Sequence, residues 1–290
     1  MLKTYGKVHS HIGTIVDADG KHFFTSGHDS ILKAWNFKTN TIVHDYGEVH
    51  QSPVSSMAAT NDGKFLYTSS ADGTLKQWAV KEKGYLRLLR DYGEIHTHPI
   101  RSIIITPDDQ YLFTSDEIGN LKQFELNGTM VHRNGSLRKN IVSEIMDFGE
   151  LIKGPIFSMS ASRDSQFLYV SSGEGYLKKI DIEEGTVVKD FGQIHQNIQS
   201  ISATRDGRLL FTSGSVDKSI KVWDTKEGKL VKSLDMAHEN SIFAIQVTAD
   251  DKWLFSSDYD GNFKQWDIEK LELFMDHGHV HDGAIRRLAI

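Results

Sequence analysis

The chain has 290 residues, and its 33 lysines and arginines stand against 39 aspartates and glutamates, for a formal net charge of −6. That balance argues against a nucleic-acid partner held through its phosphates, and the lack of cysteine removes disulfides, thiolate metal sites and a cysteine nucleophile. No run reaches the roughly 18 apolar residues of a membrane span, and the opening residues lack an apolar signal core, so a soluble cytoplasmic or cytoskeletal protein with no membrane partner is expected.

In chain order, residues 2–5 read as a lone strand, and Tyr5-Gly6-Lys7-Val8-His9 introduces a motif that keeps returning. Asp45-Tyr46-Gly47-Glu48-Val49-His50 recurs as Asp91-Tyr92-Gly93-Glu94-Ile95-His96, Asp147-Phe148-Gly149-Glu150-Leu151-Ile152 and Asp190-Phe191-Gly192-Gln193-Ile194-His195. Weaker copies end at His238 and His281. Successive copies are 41 to 56 residues apart, and the last three steps are each 43. A fixed period of that length marks a propeller or solenoid. The repeat units run approximately 9–49, 50–95, 96–151, 152–194, 195–237 and 238–280, with partial strands in 1–8 and 281–290, all within a single domain 1–290.

Within a unit, short apolar runs alternate with turn chemistry, which reads as strand rather than helix. Unit two predicts strands at Val54–Ala58, Phe65–Ser69, Thr74–Trp78 and Leu86–Leu89, with turns at Asn61-Asp62-Gly63 and Ala71-Asp72-Gly73. Aspartate and glycine supply the side-chain hydrogen bonds and the positive φ such reversals need. Four antiparallel strands in a meander make one propeller blade. The expected fold is all-β, with six full blades and an incomplete seventh made from the N-terminal strand and a C-terminal strand, Ala284–Ile290.

This pattern resembles the WD40-repeat β-propellers along the whole chain, and its Asp-Tyr/Phe-Gly-x-x-His variant is similar to WD-repeat proteins of ciliated protists. The resemblance implies, in each blade, a network of a histidine before the first strand, a hydroxyl on the second, an aspartate in the next turn and a tryptophan on the third. The matching residues are His9, Thr25, Asp29 and Trp35; His50, Thr68, Asp72 and Trp78; His195, Ser213, Asp217 and Trp223; and His238, Ser256, Asp260 and Trp266. Unit three keeps His96 and Thr114 but shows Ile118 and Phe124 at the last two places, and unit four has Ile152, Val170, Glu174 and Ile180. Those two blades are expected to hold by apolar packing.

Repeated residues belong to the architecture, so non-repeated features carry the candidate binding sites. One is an insertion in unit three, Asn127 to Ser143, which reads as a long loop bearing Arg133, Arg138 and Lys139. The other is the set at the start of the first strands, Arg101, Phe157, Gln199, Phe243 and Arg286, where the family contacts partners. His277, His279 and His281 alternate as strand-borne metal ligands would, yet no spaced carboxylate accompanies them. No nucleophile elbow, phosphate loop or zincin helix is present.

The resemblance implies a non-enzymatic scaffold or structural subunit that binds other proteins, with no cofactor. An unpaired strand in a broken blade is also a template for another copy of the chain, head to tail, building a filament or tube. The rival from another class is a metal-dependent hydrolase or lactonase in the central channel. It would need non-repeated carboxylates there, whereas the first strands supply mostly Ser, Ile, Met, Phe and Ala.

Overall fold

Alternating apolar and hydroxyl residues fold into six four-stranded antiparallel meanders in the computed structural model, which describes residues 9, 12–17, 20–131 and 137–288. The first sheet holds β1 (Ile12–Asp17), β2 (His22–Gly27), β3 (Ile31–Asn36) and β4 (Thr41–Glu48). The second holds β5 (Val54–Ala59), β6 (Phe65–Ser70), β7 (Thr74–Val80) and β8 (Leu86–Glu94). The third holds β9 (Ile100–Ile105), β10 (Tyr111–Asp116), β11 (Asn120–Val131) and β12 (Leu137–Glu150). The fourth holds β13 (Ile156–Ala161), β14 (Phe167–Ser172), β15 (Tyr176–Asp181) and β16 (Thr186–Gln193). The fifth holds β17 (Ile198–Ala203), β18 (Leu209–Gly214), β19 (Ile220–Asp224) and β20 (Leu230–Leu234), and the sixth β21 (Ile242–Val247), β22 (Trp253–Asp258), β23 (Asn262–Asp267) and β24 (Glu272–His279). Each sheet runs in sequence order from first strand to fourth, the order of a propeller blade. By packing, the chain groups into two units that divide between Ile103 and Ile104, inside β9.

Burial follows strand position. Second strands such as β6 are buried almost throughout, while β8 and β16 on the outside are exposed along most of their length. In the first unit, Phe24, Leu32, Val54, Met57, Leu66, Trp78 and Leu86 form one core. In the second unit, separate cores centre on Leu168 and Ile180, on Leu210 and Trp223, and on Leu254 and Trp266. Serines on several first strands bond to the first strand of the following sheet. Ser56 Oγ accepts from Ile103 N in the first unit; in the second, Ser158 and Ser160 accept from Ile201 N and Ala203 N, and Ser200 and Ser202 from Ile245 N and Val247 N, all at 3.1–3.2 Å. A hydroxyl serves there because it satisfies a buried backbone donor that no strand partner reaches.

The returning Asp-aromatic-Gly motif is a bulge that ends the fourth strand. Asp45, Asp91, Asp147, Asp190 and Asp276 each accept a bond through Oδ1 from the glycine N–H two residues on, at 2.8–3.0 Å. Their Oδ2 atoms lie 3.2–3.8 Å from Lys33, Lys76, Lys122, Lys178 and Lys264 on the third strands. The glycines take φ of 59–70°, which disfavours any side chain, and the strand register shifts at that point, as between Thr74 and Lys76. In the fifth sheet, where the copy reads Asp235-Met236-Ala237, the bulge is missing and Lys221 turns instead to Asp217 at 3.8 Å.

Two expectations are corrected here. The insertion of unit three is a hairpin rather than a loop, because β11 and β12 continue their pairing as far as Val131 opposite Leu137. Ala284 to Leu288 form no strand. They run beside β22 instead, where Ser257 Oγ donates to Ile285 O at 3.0 Å, as Ser115 Oγ donates to Ile156 O at the start of β13. The described residues contain no seventh sheet. Residues 2–5, read as its last strand, lie outside them.

Candidate functional site

The repeated histidines are buried and engaged. In the first sheet, Trp35 Nε1 donates to Thr25 Oγ1 at 2.8 Å, the hydroxyl donates to His9 Nε2 at 2.9 Å, and His9 Nδ1 donates to the Asp29 carboxylate at 3.0 Å. The carboxylate fixes the tautomer by demanding the proton on Nδ1. The second sheet uses a relay. Trp78 donates to Thr68 at 3.0 Å and Thr68 donates to His50 Nε2 at 2.8 Å, but His50 Nδ1 donates to Thr74 Oγ1 at 2.7 Å, and Thr74 passes its own proton to Asp72. Burial, only partly opposed by the more distant Asp72 charge, pushes the His50 imidazole down to about 4.

Two members of the implied networks change. In the fifth sheet the hydroxyl is Thr212, not Ser213. Trp223 donates to Thr212 at 3.1 Å, Thr212 to His195 at 2.9 Å, and His195 to Asp217 at 2.7 Å. Ser213 faces the other way and donates to Ser200 O at 3.1 Å. Neighbouring strand residues face opposite sides, so a count off by one residue selects the wrong face. In the sixth sheet the carboxylate is Asp258, not Asp260. Trp266 donates to Ser256 at 2.8 Å, Ser256 to His238 at 2.7 Å, and His238 to Asp258 at 3.1 Å. Asp258 is fully buried and also accepts from Asp260 N, Asn262 N and Asn262 Nδ2. Burial works to raise its pKa, but the bonds from Asn262 and His238 hold it below the ordinary value. Asp260 is exposed, and its carboxylate receives a bond from Asn240 at 3.0 Å.

The third sheet repeats the arrangement of the sixth. Fully buried Asp116 accepts from Ile118 N, Asn120 N and Asn120 Nδ2, while Ile118, the residue at the expected acid position, is exposed. His96 and Thr114 are buried there. The recognisable signal was Thr-Ser-Asp or Ser-Ser-Asp at a strand end followed four residues later by asparagine. In the fourth sheet Ile152, Val170 and Ile180 join the apolar core, and Glu174 is exposed.

Of the residues expected at a binding face, Phe243 and Arg286 are brought together: the Arg286 guanidinium lies 4.9 Å above the Phe243 ring. Tyr259, which the sequence reading missed, completes the group with its ring 5.9 Å from Phe243 and 53% of its surface exposed. Phe157 is half-buried, and its ring lies so close to Gly173 that a Cβ there would sit 2.7 Å from it. Gln199 is occupied by Asn197 Oδ1 at 2.8 Å, and Arg101 is exposed on β9. Arg133 lies outside the described residues; Arg138 and Lys139 have backbone places on β12, with side chains outside them. The bulge at Gly278 changes the pleat between His277 and His279, so the strand alternation that would align them is broken. His277 packs on Phe263 at 5.4 Å and His279 lies 3.2 Å from Asp282. Among the described residues no three histidines or carboxylates are placed to hold a metal ion, and no helix is long and apolar enough to cross a membrane.

The family model of the WD domain, G-beta repeat (WD40) matches residues 41–79, 185–224 and 228–267. Each match runs from a fourth strand through the third strand of the next sheet and takes in Trp78, Trp223 or Trp266. No curated protein matches the chain.

Proposed function

Because the chain carries WD40 repeats, we propose that it is a non-enzymatic protein-interaction scaffold and that Phe243, Tyr259 and Arg286 form its docking face. The observation that carries this reading is their grouping at one end of the sixth sheet, with Arg286 over the Phe243 ring, the Tyr259 ring tilted beside it and Tyr259 open to solvent. Aromatic and arginine side chains on a rigid base are the residues that dominate protein interfaces, and an arginine stacked on a ring presents its charge in a fixed place. The aspartates and imidazoles that catalysis would recruit are occupied here: His9, His50, His195 and His238 each hold a hydroxyl and an acid or its relay. Head-to-tail assembly through an open blade has less support, since Ala284 to Leu288 form no strand to act as template.

The test is a displayed-peptide selection on the immobilised full chain, run in parallel on Tyr259→Ala/Arg286→Glu. Peptides enriched on the native protein are expected to be lost on the variant. Equal enrichment on both would move the docking face elsewhere.

A further inference from the structure

A second surface, independent of the Phe243 group, lies in the first unit. An open groove of about 810 Å³ runs between the turn that follows β3 and the turn that follows β7, rimmed by Lys21, Lys38, Lys81 and Lys83, with Glu82 the one carboxylate among its lining side chains. Val43 and Val80 are the apolar side chains of its lining. The ammonium groups of Lys38, Lys81 and Lys83 meet no carboxylate among the described residues, whereas the third-strand lysines are paired with their bulge aspartates. On a chain of net charge −6, this is a local concentration of positive charge, and a cleft focuses such a field.

The lysine-bearing wall is held in shape. Its turn, Glu82–Gly84, is a single 3-10 turn in which Lys83 adopts φ 59°. Tyr46 clamps it by donating from Oη to Gly84 O at 3.0 Å and accepting from Leu86 N at 2.7 Å. Gly84 is buried against His22 so closely that a Cβ would lie 2.9 Å from the imidazole. That contact covers the His22 ring, the one aromatic ring of the lining. The cations are lysines, point charges suited to separate carboxylates rather than to the bidentate grip of an arginine on phosphate.

We infer that this groove binds an acidic peptide segment of a partner protein, with an apolar side chain seated on Val43 and Val80 between flanking carboxylates. The probe is a fluorescein-labelled peptide, Glu-Glu-Glu-Leu-Glu-Glu-Glu, titrated with the full chain and followed by fluorescence anisotropy at low and raised salt. Saturable binding that weakens with salt is expected, and Lys38→Glu/Lys81→Glu should weaken it about 10-fold or more. Lys226→Glu/Lys232→Glu, an equal charge change on exposed lysines of the other unit, should leave it nearly unchanged. Circular dichroism and thermal melting confirm that both variants are folded. No saturable binding, or equal loss in both variants, would overturn the inference. So would displacement of the peptide by an oligothymidylate or by phosphatidylserine vesicles as readily as by unlabelled peptide.

Discussion

Replacing Thr212 by valine removes one hydroxyl and keeps the side-chain volume, so it isolates the polar network of the fifth sheet. Thr212 Oγ1 receives the Trp223 indole proton at 3.1 Å and donates to His195 Nε2 at 2.9 Å, in a place where Thr212 is fully buried and His195 is 4% exposed. Valine strands both partners. An unsatisfied buried donor or acceptor costs about 1–3 kcal/mol, so the pair should cost about 2–5 kcal/mol. For a chain of this size each kcal/mol moves the melting temperature by about 2–4 °C, and Thr212→Val should melt roughly 5–15 °C lower by differential scanning calorimetry. Ser213→Ala is the control. Its hydroxyl donates only to Ser200 O, which leaves no donor stranded, and the loss should be about 1 kcal/mol. A smaller fall for Thr212→Val than for Ser213→Ala would refute the assignment and restore Ser213 to the network.

Three further outcomes follow from the same geometry. His50 is held down to about 4 by burial while an unfolded imidazole titrates near 6.5, so its contribution of about 3 kcal/mol is complete above the unfolded value and is lost as pH falls from there toward 4; a histidine NMR titration placing its midpoint above 6 would contradict this. Asp258→Ala, which strands His238, Asn262 and two backbone N–H groups, should cost about 3–5 kcal/mol, whereas Asp260→Ala should cost under about 1 kcal/mol, as read by denaturant melts. Gly93→Ala meets open space at φ +66° and should cost about 1–2 kcal/mol for the backbone alone; Gly73→Ala, whose Cβ would sit 2.1 Å from His96 O, should cost clearly more, and equal melts would refute the difference.

The repeat period and the strand order were legible because turn residues and the Asp-aromatic-Gly motif recur at nearly fixed spacing. The reason for that motif was not. Its aspartate matters through a lysine on the neighbouring strand, and the sequence does not write that pairing as a local pattern. The misassignments at Ser213 and Asp260 have different causes: at Asp260 the acid stands instead at the strand end, on Asp258, whereas Ser213 is an error of count. Counting forward from a histidine crosses a loop of variable length, and in a strand one residue of error turns the side chain to the opposite face. Counting back from tryptophan selects Ser213 as well, because Thr212 lies 11 residues before Trp223 where the other networks span 10; only the pairing of Trp223 with Leu210, two residues before Thr212 on the same face, identifies the hydroxyl. Asp116 was missed because its acid stands at the strand end rather than in the turn. Tyr259 was hidden because the comparison ran over first-strand positions such as Phe243, and Tyr259 lies in the turn after β22. The polar residues of the insertion in the third unit carry little alternation and so read as loop, yet pairing from the long β11 and β12 extends into it as far as Val131 opposite Leu137.

The central claim is that a specific protein ligand docks on Phe243, Tyr259 and Arg286. Its most direct measurement is the dissociation constant of a selected peptide, by isothermal titration calorimetry, for the native chain and for Tyr259→Ala and Arg286→Glu. The account predicts binding at least about 10-fold weaker for each variant, as removal of an interface anchor requires, with melting temperatures unchanged. Unchanged affinity in both folded variants would contradict it.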